Sequence, residues 1–185
     1  MKLFANSIAS GKTSKAFQNQ IEMVSKCFNF HKRVEDKYIF DGSYGDIITV
    51  YQRINSKFFS RLYSLVLKVE INNPPTEDCF RYKMIFEGMI NQKPVFKSVS
   101  GNRKELDKLN TEENLSKIYS CTKKVHLESL FIYSQSEKIY VDIIPYPGSI
   151  VWLVIPPITY HIRIKQEEIK ALAELIQSLV KIIKA

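Results

Sequence analysis

The chain is poor in the residues that staple, hinge or mark chemistry. Its three cysteines, Cys27, Cys79 and Cys121, stand far apart and odd in number, with no CxxC or Cys/His metal spacing among them. They read as three buried small hydrophobes kept reduced in a cytosol. Glycine is scarce, six in 185 residues, and no GxGxxG, GxSxG or HExxH occurs. No metal and no cofactor is therefore expected. Gly11-Lys12-Thr13 has the ending of a phosphate-binding loop. Asn6 stands where that loop needs its first glycine and only Leu3-Phe4-Ala5 precedes it, so a helix-start turn is the expectation.

Long apolar runs are also missing. Leu3-Phe4-Ala5 stops at Asn6, short of the roughly 7–15 residues of a signal-peptide core. The greasiest region, Ile139 to Ile158, is broken by Asp142, Gly148 and four prolines, which is the punctuation of strands. The C-terminal apolar stretch carries Lys170, Glu174 and Lys181 at intervals. The expectation is a cytoplasmic protein with no transmembrane segment.

What is present is an ordinary globular composition, 45% hydrophobic and 25% charged. A chain of this length can bury roughly 70% of its unfolded surface. Residues 1–185 read as one compact unit, divisible into two strand-then-helix halves at about 30–122 and 123–185. The net charge is +8, yet only six of the 27 basic residues are arginines and no lysine run exceeds Lys123-Lys124. Charge spread this evenly reads first as solvated surface.

Periodicity supplies the elements. Phe17, Ile21, Val24 and Phe28 recur at helical spacing after Thr13 or Ser14 as a cap. Strands follow at 38–40 and 47–54. Tyr63 to Ile71 and Phe80 to Gly88 both alternate, and pairing Ile71 with Phe80 predicts a hairpin with Glu70 opposite Arg81 and Lys68 opposite Lys83. A fifth strand spans Val95 to Val99. Asn102 with Glu105 begins a helical stretch, and Leu115, Ile118 and Tyr119 suit a second one. Strands at about 125–134, 137–144, 150–155 and 158–164 precede a long helix from about Gln166. Its stripe is Ile169, Leu172, Ala173, Ile176, Leu179, Val180 and Ile183, with Glu167 and Glu168 at its positive end and Lys181 and Lys184 at its negative end.

The fold class is α+β: an antiparallel sheet of about nine strands in two meanders, with an N-terminal helix, middle helices and a long C-terminal helix on the sheet. This order resembles helix-grip and TATA-binding-protein-type arrangements, in which a meander is covered by a C-terminal helix. The resemblance is one of architecture, so it implies a fold and no activity.

Strand parity then proposes a site. Pairing the second meander by apolar agreement leaves Phe131, Tyr140, Asp142, Trp152, His161 and Arg163 on the face away from the last helix. This aromatic-rich face, holding the lone tryptophan, reads as a ligand cleft, a partner surface or covered core. Three functions follow. The leading one is non-enzymatic binding of a small apolar or aromatic ligand, or of a protein partner. The second is nucleic-acid binding through Lys68, Arg81 and Lys83 beside exposed aromatics. The third is an enzyme using Asp142 and His161, placed about 10 Å apart with no nucleophile or oxyanion hole in view.

Overall fold

A computed structural model describes residues 14–72, 79–88, 92–101, 104–135, 137–153 and 158–185. The Gly11-Lys12-Thr13 turn, the Asn102 helix start and the Pro156-Pro157 corner lie outside the described residues. Helix α1 covers residues 14–24 and buries Phe17, Ile21 and Val24 as the spacing requires. Strands β1 (Asn29–Val34), β2 (Lys37–Asp41), β3 (Ile47–Lys57) and β4 (Ser60–Asn72) follow, each antiparallel to the next. Then come β5 (Arg81–Glu87), β6 (Lys93–Ser100), and the helices α2 (Lys104–Leu109) and α3 (Glu112–Thr122). The chain closes with β7 (Leu127–Gln135), β8 (Lys138–Pro145), β9 (Ile150–Leu153), β10 (Ile158–His161) and α4 (Gln166–Lys184).

The fold is α+β, and the described residues form an open antiparallel sheet of ten strands and four helices. The tenth strand is β1, which the sequence hid because every residue in it is exposed and none alternates. The strands do not form two separate meanders. Their order is β1-β2-β3-β4-β8-β7-β5-β6, so β7 and β8 lie between β4 and β5. The expected hairpin of β4 with β5 is therefore replaced. Ile71 pairs with Ile139, Val69 with Val141 and Leu67 with Ile143, an all-aliphatic agreement on the core face. Glu70 stands opposite Tyr140 and ion-pairs with Lys138 in place of Arg81.

Two further pairings differ from expectation, since apolar agreement within the second meander sets Leu130 opposite Val141 and makes a hairpin of the 137–144 and 150–155 strands. In β7–β8, Leu130 and Ile132 share the core face with Val141 and Ile143 as parity demands, but the register is two residues away, with Leu130 opposite Ile143. β8 and β9 are not hairpin partners. Both pair with β4, β8 along Leu67 to Asn72 and β9 along Ser60 to Tyr63, so they lie in line with a loop between them.

Helix α4 closes the core. Leu172, Ile176 and Leu179 are buried together with Ile169, Leu175 and Val180. Glu168 accepts the backbone N–H of Lys165 at 2.7 Å, and Lys181 and Lys184 occupy the last turn. The C-terminal end is tied to the β2–β3 turn by Lys181 over the Tyr44 ring and by Lys184 donating to Tyr44 O. Among the described residues no helix is long and apolar enough to cross a membrane. Of the cysteines only Cys121 is buried; Cys27 is half-buried and Cys79 exposed, because Cys79 sits just before β5 at the end of a connection.

Candidate functional site

Six of the residues singled out by sequence share one surface. β8 places Asp142 opposite Lys68 on β4 and Phe131 on β7, and Phe131 in turn faces Lys83, which faces Lys97. The adjacent row runs Glu70, Tyr140, Tyr133, Arg81. Residues alternate across a strand, so both rows stand on the face opposite α4. Lys68 and Lys83 are not cross-strand neighbours. Asp142 and Phe131 stand between them, which relieves the like-charge contact the sequence suggested.

The centre of this surface is a tight polar–aromatic cluster. Tyr133 and Tyr140 stack at 5.5 Å, and Lys68 Nζ lies 4.2 Å from the Tyr140 centroid. The Tyr133 hydroxyl donates to both Asp142 oxygens, at 3.4 and 3.3 Å. Burial raises the Asp142 carboxyl above its ordinary range, against the pull of Lys68, Tyr133, Arg81 and Arg53. Burial also raises Tyr133, a direction that makes the phenol a weaker acid. For Lys68 burial works downward, but its contacts with Tyr133, Asp142 and Tyr140 outweigh it and the ammonium is held more firmly charged. Arg81 lies 4.9 Å and Lys83 5.8 Å from the Phe131 centroid. Around them Glu70 pairs with Lys138, Glu128 with Arg53, and Glu87 with Lys97. Asp142, Tyr133 and Lys68 satisfy one another, and the cluster brings no nucleophile beside a base among the described residues.

The other three sequence candidates stand elsewhere. Trp152 pairs with Arg61 and Thr159, and the Arg61 guanidinium lies 5.4 Å from its ring. His161 pairs with Ile150, which pairs with Tyr63. Along β4, Tyr63 and Lys68 are five residues and roughly 17 Å apart, on opposite faces. Asp142 and His161 therefore belong to different places.

His161 and Arg163 instead line a cleft of about 700 Å³ between α1 and the segments 149–150 and 161–164. From α1 come Lys15, Ala16, Asn19, Gln20 and Met23, a helical face; opposite are Ser149, Ile150, Ile162 and Ile164. The β8–β9 loop forms one wall. Gly148 N–H donates to Ile162 O at 2.7 Å and Ile162 N–H to Ser149 O at 2.9 Å. Gly148 has φ +90°, and a Cβ there would meet the Leu65 side chain at 3.1 Å, so only glycine brings the loop in this close.

Two residues that line this cleft each carry a buried polar atom unpartnered among the described residues, Gln20 Oε1 and Ser149 Oγ. Gln20 is 6% and Ser149 3% exposed. The orientation of the Gln20 amide is fixed chemically. Its Nε2 donates to Gly148 O at 2.9 Å, and turning the amide over would set two oxygens against each other. A third such atom, Gln52 Nε2, belongs to the residue opposite Leu65 on β3. Sequence reasoning missed Gln20, although a signal existed: it interrupts the apolar stripe of α1, between Phe17 and Val24.

Among the described residues no group of three or more His, Cys, Asp or Glu side chains could hold a metal ion. Residues 28–183 match the family model described as "Protein of unknown function (DUF3156)", so the chain belongs to that family. No curated protein and no solved structure matches the chain.

Proposed function

We propose that this is a non-enzymatic binding protein whose α1 cleft takes a small amphiphilic organic anion. The observation that carries this reading is a pair of buried, unpartnered polar atoms on two residues that line the same concavity. Each such atom costs about 1–3 kcal/mol when left unsatisfied, so a fold that keeps two of them in one cleft supports a ligand that completes them. Gln20 Oε1 asks for a hydroxyl or N–H donor, and Ser149 Oγ accepts or donates. Lys15 and Arg163 bring positive charge, and the described lining residues include no acidic side chain. Ala16, Met23, Ile150, Ile162 and Ile164 suit an apolar tail. The leading sequence-based function, a small apolar ligand, thus moves from the Asp142 face to the cleft of His161 and Arg163. Three free cysteines support a reducing, cytoplasmic setting.

A titration series tests each part of the chemistry. The probes are 2-hydroxyoctanoate, octanoate and 1-octanol, followed by calorimetry and by emission of Trp152. That residue lies two positions beyond Ile150 on the same strand face, roughly 7 Å away. The hydroxy acid should bind best, octanoate about ten-fold weaker for the lost hydrogen bond, and the alcohol weakest. Arg163→Gln should abolish the preference for the acids. Equal affinity for all three, or none for any, would overturn the assignment.

One observation favours a second reading. Arg81 and Lys83 have no ion pair among the described residues and stand over Phe131 on an open sheet face, a composition that suits single-stranded nucleic acid. Affinity that falls steeply with salt and disappears in Arg81→Ala with Lys83→Ala would support it.

A further inference from the structure

The β3–β4 hairpin ends in a two-residue turn, Phe58-Phe59, with Lys57 pairing Ser60 across it. Phe58 is 90% exposed and Phe59 54%, their rings meeting edge to face at 4.5 Å. Nothing in the turn requires these rings. Two-residue hairpin turns favour glycine or asparagine because they use positive φ, and neither Phe58 nor Phe59 is among the positive-φ residues. The rings meet no core and relieve no strain, so their use lies outside the fold.

The surroundings indicate what they meet. From Ile47 to Val69 the hairpin carries Arg53, Lys57, Arg61 and Lys68 and not one Asp or Glu; Arg53 is paired with Glu128 and Lys68 stands opposite Asp142, so the cations left to the tip are Lys57 and Arg61. Arg61 and Trp152 are cross-strand partners beside the tip, and Tyr160 on the neighbouring strand is exposed. Aromatic side chains at a tip, with cations a few residues behind them, match a bilayer surface. The rings enter the headgroup–acyl boundary, Trp and Tyr suit that boundary, and Lys and Arg meet anionic headgroups. A protein partner would be served by apolar side chains alone; Lys57 and Arg61, beside the tip and without an ion pair among the described residues, select an anionic lipid.

We propose that the Phe58-Phe59 tip docks the protein reversibly on anionic lipid surfaces. The test is co-sedimentation of the full chain with phosphatidylcholine vesicles, with and without a share of phosphatidylglycerol. The wild type should bind the phosphatidylglycerol vesicles and not the neutral ones. Phe58→Ser with Phe59→Ser should keep the melting point, since both side chains are exposed, and weaken binding about ten-fold or more. Lys57→Gln should weaken it about five-fold, the worth of one charge near the surface. Absence of wild-type binding at low salt overturns the proposal, as does undiminished binding of the double variant. A concentration-dependent dimer that the same double variant abolishes, without vesicle binding, would instead assign the tip to a second copy of the chain.

Discussion

Asp142 shows how one residue can be read correctly in part and misread in its partners. Its parity, on the face away from α4, follows from the alternation of β8 and holds in the structure. Its neighbours do not follow, because apolar agreement makes the 150–155 strand its partner, whereas β8 pairs with β4. Its chemistry makes a pH prediction. Burial raises the folded-state pKa above the unfolded value, so the folded chain holds the proton more tightly. The contribution to stability is then full below the unfolded pKa of about 4 and lost as pH rises through the folded one. Urea melts of wild type and Asp142→Asn between pH 7 and 4 check this. The wild type should gain on the variant as pH falls; a gap that stays constant or moves the other way would contradict the assignment.

Elements were legible where their own periodicity decides them. α4 was read to its stripe and its charged ends because a 3.6-residue period carries both, and burial of Leu172, Ile176 and Leu179 bears it out. Either Leu172→Ala or Leu179→Ala should cost about 2–5 kcal/mol in denaturant melts, whereas Gln177→Ala on the outer side should cost much less. Strand partners were not legible. β4 alternates aliphatic residues that fit β5 or β8 equally well. The choice falls to the long-range agreement of Leu67, Val69 and Ile71 with Ile143, Val141 and Ile139. β1 escaped because an edge strand with no buried residue has no apolar signal. The cleft was hidden for a related reason, since its two walls lie far apart in sequence, Gln20 and Gly148 being 128 residues apart.

At the scale of the molecule, α4 closes one face of the sheet and α1, with the β8–β9 loop, leaves a cleft at its end. On the opposite face Asp142, Tyr133 and Lys68 satisfy one another, while residues lining the cleft keep two polar atoms unspent. That contrast is the central claim, and Ser149→Ala tests it most directly. The substitution removes a buried hydroxyl without opening a cavity, because the backbone contacts of Ser149 remain. If Ser149 Oγ is held for a ligand, the variant should be more stable than the wild type in ligand-free denaturant melts, by about 1–2 kcal/mol. It should also bind 2-hydroxyoctanoate about ten-fold more weakly. A variant that is less stable than wild type and binds the acid equally well would contradict the account.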